Sequence, residues 1–345
     1  MTARKVLILQ GILPDYRRPV FNRLADFYDV TIAHSGPSGL KQGDRFKELI
    51  LPVKAVGRFK LHRPGLVSGL MAQADATIAM FDLAWPAYIL PALGIGRPRR
   101  FVLWGHRYSA SALANNVREA LMRRADRVLM YGDHHNARLI AAGIDPQRIV
   151  VAHNTMDISN HADFSEHAKD SILFVGRLQD RKRLDVALEA FASLIGRIPG
   201  DVMFDIVGDG EPRARLEAQA QALGIADRVR FHGAIRDDEL LAQRFARALV
   251  YISPGDVGLS VLHSFAYGVP VITYREGHHG PEFHNMVDSE NSIIVEPDED
   301  FAERLGEIIQ DRDAARRLGS NAYRHYSVER TIDVMIDGFR RAIEG

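Results

Sequence analysis

Two cations follow a short run of β-forming residues near the middle of the chain. The run Ile172–Val175 ends at Gly176, and Arg177 and Lys182 come five positions apart before a helical pattern begins. An arginine presents a planar fork of donors and a lysine a movable point charge, so the pair can hold a phosphate at the end of a strand. Surface cations on a strand–helix loop are the alternative interpretation, and it would be preferred for an isolated pair.

Two further motifs support the anion site. Gly208-Asp209-Gly210 is a tight turn after a strand, but it lacks the third glycine of a dinucleotide fingerprint, so NAD binding is disfavoured and Asp209 is interpreted as a turn residue. Residues 253–263 read as a strand end, a glycine-containing turn and a helix. The free N–H groups near Gly258, Leu259 and Ser260 would attract an anion, and His263 lies one helical turn further on the same side.

The elements that position these motifs alternate between short β-rich runs and helical stretches, which is typical of parallel α/β sheets. Six strands are predicted in each half, with a polar join around 157–170, and ligands of such sheets bind beyond the carboxyl ends of the strands. We therefore expect two consecutive α/β domains, 1–162 and 163–327, facing a central cleft. The predicted strands are Val6–Gln10, Val30–His34, Thr77–Phe81, Phe101–Trp104, Val128–Tyr131, Ile149–Ala152, Ile172–Val175, Val202–Val207, Val229–His232, Leu249–Ser253, Val269–Tyr274 and Ser292–Val295.

The composition excludes several classes of protein. The 345 residues contain 44 Lys and Arg, 44 Asp and Glu, and no cysteine, so disulfides, thiolate metal sites and a cysteine nucleophile are excluded.

The zero net charge hides a separation of charge between the two halves of the sequence, because residues 1–165 carry +9 and residues 166–345 carry −9. A basic half can face anionic lipid, nucleic acid or an anionic substrate; solvated helix faces are the alternative. Its cations cluster at Lys54, Arg58, Lys60 and Arg63, at Arg97, Arg99 and Arg100, and at Arg118, Arg123, Arg124 and Arg127.

No stretch of the sequence is long and apolar enough to span a membrane. The run 83–96 is short and is interrupted by Pro86 and Pro91. The apolar start Val6–Leu9 is too brief for the core of a signal peptide and is interpreted as a first buried strand. We expect a cytoplasmic protein, with peripheral attachment to the inner face of a membrane as a further option. Nucleic acid is not expected as a partner, since basic motifs interleaved with aromatics are missing.

The three spaced motifs together resemble the C-terminal domain of the family-4 retaining glycosyltransferases. The strings are FVGRLQDRKRLDVALEAF, IVGDGEPRARLE and GLSVLHSFAYGVPVI, and upstream RRADRVLMYGD and VVAHNTMD resemble the end of the family's N-terminal domain. The resemblance implies the GT-B fold, with two Rossmann-like domains and a nucleotide sugar in the cleft between them. It also implies transfer with retention of configuration, without a bound metal or other cofactor.

The resemblance also implies roles for individual residues. The diphosphate-binding cations fall on Arg177 and Lys182, beside Gly176, and the glycine loop that contacts phosphate and sugar falls on Gly258, Leu259 and Ser260. An active-site histidine of the N-terminal domain matches His106 more loosely. Glu282 lies in a loop that partly matches a glycine-rich family segment and is expected beside the donor. By the same resemblance, a final helix at about 328–345 packs back on the first domain.

One departure from the family pattern concerns its two glutamates, which are separated by seven residues. The first position is Gly255 here, with Asp256 beside it, and the second is His263. The second glutamate usually binds the ribose hydroxyls, and an imidazole can make one such hydrogen bond. Asp256 could replace the first, which meets the transferred sugar, if the loop is shifted.

The loop after the first strand resembles bacterial polysaccharide-assembly members of the same family. Gly11 would permit close approach of the donor, and Tyr16 and Arg17 would line the acceptor side, where Arg17 could reach an anionic group. The alternative is that Tyr16 and Phe21 are core residues and that Arg17 is a surface charge. Asp298, Glu299 and Asp300 are interpreted as carboxylates at a helix start rather than as a metal site.

These observations predict an enzyme that transfers a hexosyl or deoxyhexosyl group from a nucleoside-diphosphate sugar. The expected acceptor is a glycan or a lipid-linked oligosaccharide in cell-envelope polysaccharide synthesis, with an anionic membrane surface as a further partner. Two alternatives stay open. One is a nucleotide-sugar epimerase of the same fold, and the other is a protein that binds nucleotide sugars without catalysis.

Overall fold

The computed structural model describes residues 3–105, 108–109, 111–158 and 169–345. The chain divides into two compact units: Met1–Asp157 with Thr331–Gly345, and Ile158–Arg330. The division predicted at residue 162 falls within 159–168, outside the described residues. Among the described residues, no helix combines the length and the apolar character needed to cross a membrane.

The first unit is built on a parallel sheet that is buried on both faces. Within the described residues its seven strands lie in the order β3-β2-β1-β6-β7-β8-β9. Strands covered on both faces read as continuous hydrophobic runs, and this is why six of the seven could be predicted to within a residue or so at each end. The strands of this unit are β1 Lys5–Leu9, β2 Asp29–His34, β3 Lys47–Ile50, β4 Lys54–Val56, β5 Phe59–Leu61, β6 Ala76–Met80, β7 Phe101–Trp104, β8 Arg127–Met130 and β9 Ile149–Val151.

Three strands of this unit were not predicted. β3 is an edge strand with a half-polar sequence, Lys-Glu-Leu-Ile, so it lacks the apolar run of its neighbours. β4 and β5 form a separate antiparallel hairpin of three residues each that is largely exposed. Short exposed strands carry little hydrophobic pattern, and their pairing is decided by the rest of the fold.

The second unit contains a parallel sheet of its own. Within the described residues its six strands lie in the order β12-β11-β10-β13-β14-β15. All six match predicted strands, so the expectation of two consecutive parallel α/β sheets is confirmed. The strands are β10 Ser171–Val175, β11 Met203–Val207, β12 Val229–Gly233, β13 Ala248–Ile252, β14 Val271–Tyr274 and β15 Ser292–Val295.

Helices connect the strands and cover both sheets. Asp300 caps the helix that follows it by accepting from the amides of Ala302 and Glu303, which confirms the interpretation of that carboxylate as a helix start. The helices are α1 Arg18–Leu24, α2 Leu66–Ala72, α3 Pro86–Ile89, α4 Ala112–Met122, α5 Asn136–Ala141, α6 Leu184–Leu194, α7 Arg213–Ala222, α8 Asp238–Arg247, α9 Ser260–Ala266, α10 Phe301–Gln310, α11 Arg312–Glu329 and α12 Ile332–Glu344.

Two helices differ in extent from their sequence patterns. Helical spacing is shared by Leu184, Leu188, Phe191, Ile195 and Ile198, but α6 ends at Leu194 because Ile195 takes an extended ψ of 130°. Ile198 is buried without being helical. The final helix was expected from Val328, but that residue belongs to α11 and is 65% exposed; Thr331 caps a new helix from Ile332.

The helix α12 packs within the first unit, against α1, β8 and β9. Its glycine at position 338 allows this approach, since a Cβ there would lie 2.6 Å from the Cα of Ala152. Phe339 is fully buried and meets Trp104 edge to face, with ring centroids 5.0 Å apart. The last segment of the chain therefore completes the core of the first unit.

Candidate functional site

Three loops of the second unit emerge from adjacent strands. β11, β10 and β13 are neighbours in the parallel sheet, so the segments 208–212, 176–183 and 253–259 leave it at the same, carboxyl edge. These segments contain all three motifs that the sequence singled out. Because parallel strands end together, the topology gathers residues from distant parts of the chain.

The loop after β10 is fixed on one side by the Gly-Asp-Gly turn. Gly176 donates to the carbonyl of Val207 at 2.9 Å, and Leu178 donates to the carbonyl of Asp209 at 3.0 Å. A Cβ on Gly208 would lie 1.9 Å from the carbonyl oxygen of Gly176, so only glycine allows this approach. The Asp209 carboxylate accepts from the next amide, as expected of a turn residue.

On the other side the same loop is fixed by Gly255. Its amide donates to the carbonyl of Lys182 at 3.1 Å, and the amide of Asp256 donates to the carbonyl of Arg181 at 2.9 Å. A Cβ at position 255 would lie 2.0 Å from the Arg181 carbonyl oxygen. The position where the family resemblance predicts a glutamate thus has no room for a side chain in this arrangement of the loops.

Lys182 is half-buried between these loops. Its Nζ donates to the backbone carbonyl of Asp256. Burial, with a smaller contribution from Arg181, lowers the pKa of Lys182 to about 8, although Asp256 opposes the shift. The ammonium is therefore still largely charged at neutral pH but poorly solvated, which favours binding of an anion.

Arg177 is exposed and directly follows the end of β10. In the described part of the chain, no hydrogen bond or ion pair is formed by its guanidinium group. Its backbone is nevertheless held, because Gly176 and Leu178 on either side are both bound to the β11 loop. The donors of Arg177 are available to a ligand at the carboxyl edge.

Asp256 has a different environment from that expected of a catalytic group. Its carboxylate accepts from the amide of His278 at 3.0 Å and lies 3.5 Å from the guanidinium group of Arg181. These contacts tie the loop after β14 to the loop after β13. A direct role toward the sugar would require the carboxylate to leave both partners.

His279 holds the glycine loop in place. Its Nδ1 accepts from the amide of Val257 at 3.2 Å, and its Nε2 donates to the carbonyl of Tyr274 at 3.1 Å. These partners fix the neutral tautomer, and burial lowers the pKa of the ring. The ring stacks on Phe283 with a centroid distance of 4.3 Å. The sequence shows two adjacent histidines, His278 and His279, ahead of Gly280, but it does not indicate which groups their side chains contact.

Glu282 is buried against the glycine loop. A Cβ on Gly258 would lie 3.7 Å from its Oε2, and one on Gly280 would lie 2.7 Å from the same atom. The structure thus brings Gly258 and Glu282 together, although they were predicted from two separate segments of the sequence. Gly280 also donates to the carbonyl of Val257 at 2.8 Å, which closes this side of the loop.

The start of α9 presents backbone donors. Over the described ranges, the amides of Gly258, Leu259 and Ser260 are not bonded to any protein acceptor. His263 lies on this helix, with its ring 4.8 Å from that of Phe245 and 5.6 Å from that of Tyr267. Burial lowers the pKa of His263 to about 4, so its imidazole is neutral at pH 7 and can make a hydrogen bond without adding charge.

In the first unit, Arg17 lies at the carboxyl edge of the sheet. It is only 5% exposed, and this contradicts the alternative that it is a surface charge. Its Nη2 donates to Oδ1 of Asn154 at 3.2 Å, and its guanidinium carbon lies 4.5 Å from the centroid of Trp104 and 5.0 Å from that of Tyr131. Asn154 was not predicted, because only the fold brings it next to Arg17.

The other residues of the first unit that were singled out from the sequence make fewer polar contacts than Arg17. Tyr16 is half-buried, with its hydroxyl 3.4 Å from Nε of Arg17, whereas Phe21 is a fully buried core residue. A Cβ on Gly11 would lie 3.1 Å from the Trp85 ring, so this position favours glycine. His106 lies outside the described residues.

Residues 158–325 match the family model described as Glycosyl transferases group 1. Among curated relatives, the lipopolysaccharide core biosynthesis glycosyltransferase LpsE of Rhizobium meliloti is 31% identical over 154 residues, 44% of this chain and 43% of the relative. A D-inositol 3-phosphate glycosyltransferase of Rhodococcus jostii is 28% identical over 249 residues, 65% of this chain and 54% of the relative. The chain spans about half the length of these relatives.

The fold of the chain is also similar to that of several solved structures. Anabaena Alr3699/HepE in complex with UDP aligns with a TM-score of 0.74 at 18% identity, covering 99% of both chains. A glycosyltransferase from Rickettsia africae aligns with a TM-score of 0.76 at 15% identity, covering 100% of both chains. The lipopolysaccharide outer core galactosyltransferase WaaB aligns with a TM-score of 0.69 at 17% identity and 99% coverage of both. The GT-B fold predicted from the sequence is confirmed.

The close approach at Gly255 leads to a stability prediction. Gly255→Ala should lower the free energy of unfolding by about 1–3 kcal/mol or more, because the added methyl group would overlap backbone atoms that cannot rotate away. Gly200→Ala is the matched control, since its Cβ would have no heavy atom within 4 Å. Urea denaturation of both variants measures the difference, and equal stabilities would show that the loops part easily.

Proposed function

We propose that this protein transfers a sugar from a nucleoside-diphosphate sugar to a glycan or lipid-linked acceptor, with retention at the anomeric carbon. The observation that carries the proposal is the half-buried ammonium group of Lys182, hydrogen-bonded to a neutral carbonyl. It lies in the loop that also carries Arg177. The match of residues 158–325 to the group 1 glycosyl transferases supports the same reaction class.

The chemistry requires charge stabilisation at the leaving group. As the bond between the anomeric carbon and the phosphate oxygen breaks, negative charge grows on the nucleoside diphosphate. Arg177, Lys182 and the amides of Gly258–Ser260 can meet that charge, and such a preorganised donor is worth roughly 2.7–4 kcal/mol if it strengthens in the transition state. In this proposal no metal or other cofactor is required.

Retention is proposed to follow from attack on the face that the diphosphate leaves. The acceptor hydroxyl oxygen forms the new bond to the anomeric carbon as the bond to the phosphate oxygen breaks, and the hydroxyl proton passes to a phosphate oxygen. No protein nucleophile takes part in this step. The neutral imidazole of His263 is proposed to hydrogen-bond a ribose hydroxyl, and Glu282 to contact the donor beside Gly258.

The comparisons support a nucleotide-sugar donor and a glycan acceptor. Anabaena Alr3699/HepE, which has the same fold, has been solved in complex with UDP and with UDP-glucose, and the relative LpsE is named for lipopolysaccharide core biosynthesis. We therefore propose hexosyl or deoxyhexosyl transfer in the assembly of a cell-envelope polysaccharide. Arg17, with Tyr16 beside it, is proposed to face the acceptor. A cytoplasmic location, with peripheral contact to an anionic membrane, is proposed for this step.

A donor panel tests the proposal. The midpoint temperature of thermal unfolding should rise with at least one of the UDP-, GDP-, dTDP- and ADP-sugars. A ligand that binds only the folded state stabilises it by mass action. The stabilising donor is then incubated with and without glycan acceptors. Isomerisation of the donor without acceptor would indicate an epimerase instead, and binding without any turnover would indicate a non-catalytic protein.

Removal of either cation should impair transfer. We expect Arg177→Ala and Lys182→Ala each to lower kcat/KM at least about tenfold, because each deletes one charge that stabilises the leaving diphosphate. Arg316→Ala, which removes an exposed arginine from α11 of the same unit, is the control. Circular dichroism checks the fold of each variant. Unchanged kinetics for either residue would remove it from the diphosphate site.

The lowered pKa of Lys182 predicts the direction of a pH effect. Below about pH 8 the ammonium is charged, and above that value it loses its proton, so affinity for the nucleoside diphosphate should fall. Between about pH 7 and pH 9 the loss should reach up to about tenfold. Lys182→Arg keeps its charge throughout and should flatten the dependence. Calorimetric titrations of both proteins make the comparison, and parallel profiles would exclude Lys182 as the titrating group.

A further inference from the structure

A basic depression lies in the first unit, away from the carboxyl edge of its sheet. We name it the arginine basin; it has a volume of about 630 Å³. Seven arginines line it together with Asp126 and Gly345. Arg97, Arg99 and Arg100 come from one segment, Arg123, Arg124 and Arg127 from a second, and Arg148 from a third.

The position of the basin follows from the topology. Its three arginine segments lie at the starts of β7, β8 and β9, which are adjacent parallel strands. Their starts therefore meet at the amino edge of the sheet, whereas Arg17 and Asn154 lie at the carboxyl edge. The two edges are separated by the length of the strands, about 13 Å for four residues. The basin is thus a separate surface from the predicted acceptor side.

The charge of the basin is largely uncompensated. Asp126 is the single carboxylate side chain in its lining and pairs with Arg97 at 2.6 Å. Arg99, whose side chain is 80% exposed, pairs with Asp75 at 2.9 Å. The remaining five lining arginines have no carboxylate side chain within 4 Å among the described residues. Like charges so close together repel one another, and a bound anion would relieve that repulsion.

Two of these side chains are oriented by neutral acceptors. Arg123 donates to the carbonyl of Ala142 at 2.7 Å, and Arg148 donates to that of Arg123 at 2.9 Å. A carbonyl fixes the direction of a guanidinium group without cancelling its charge. The basin is therefore preorganised, and the entropy lost on binding an anion is reduced.

We propose that the arginine basin binds the phosphate groups of a polyanion. Guanidinium forks match the oxygens of phosphate in bidentate geometry, and the number of cations suits several phosphates at once. Phospholipid headgroups and free polyphosphate share this chemistry. The proposal does not rest on the transfer reaction, because the basin lies at the other edge of the sheet from the predicted acceptor side.

The test uses the full chain and two probes. Tripolyphosphate binding is measured by calorimetry, and sedimentation is measured with vesicles of phosphatidylcholine, with and without phosphatidylglycerol. The variant is Arg99→Ala with Arg124→Ala, because neither side chain holds a backbone carbonyl and the fold should survive. The control, Arg236→Ala with Arg316→Ala, removes the same charge from exposed positions of the second unit.

We expect the basin variant to weaken binding at least about tenfold and the control to leave it within about twofold. Binding of tripolyphosphate identifies free polyphosphate as the source, and binding only to vesicles with phosphatidylglycerol identifies headgroups. Failure of both probes, or equal weakening by the control, would overturn the proposal. Thermal stabilisation by the donor sugar should be the same in the basin variant as in the wild type, so failure here is distinguishable from failure of the transferase proposal.

Discussion

The candidate site of the second unit depends on close contacts between the main chains of three neighbouring loops. The loop carrying Arg177 and Lys182 lies between two others, and each contact is closer than any side chain at Gly208 or Gly255 would allow. Hydrogen bonds between main-chain groups on both sides then fix the loop, and the bond from Nζ of Lys182 to the Asp256 carbonyl adds to them. Both cations can therefore extend from a rigid support, and little conformational entropy has to be lost when an anion is bound.

This constraint also explains how the site differs from its family pattern. With Gly255 against the carbonyl of Arg181, no carboxylate side chain can occupy that position, and the neighbouring Asp256 uses its own carboxylate to hold the amide of His278. His279 accepts a hydrogen bond from Val257 in the glycine loop, and Glu282 packs beside Gly258. The result is a site in which neutral and cationic donors predominate near Lys182, and this favours a phosphate ligand over a cationic one.

Prediction from the sequence succeeded where the signal is local. Buried parallel strands such as Ser292–Val295 have continuous apolar runs, and turn glycines come at fixed places after them. Edge strands such as Lys47–Ile50 have no such run. The burial of Arg17 on Trp104 and its bond to Asn154, and the clamp formed by His279, depend on partners far away in sequence. Those contacts are decided by the three-dimensional packing, so no spacing rule indicates them.

The positions of individual charges likewise matter more than the net charge of each half of the sequence. The first half of the sequence carries +9, yet the buried Arg17 adds little to a surface potential, whereas the arginine basin concentrates several exposed guanidinium groups at one edge of a sheet. The second half carries −9 and nevertheless holds Arg177 and Lys182 at its own carboxyl edge. Because a pair of charges interacts over a screening length of about 10 Å, a ligand responds to the groups around it rather than to the total. Acidic residues elsewhere on the second unit therefore do not prevent a phosphate from binding at Lys182, and the basic total of the first unit does not by itself indicate where an anion binds.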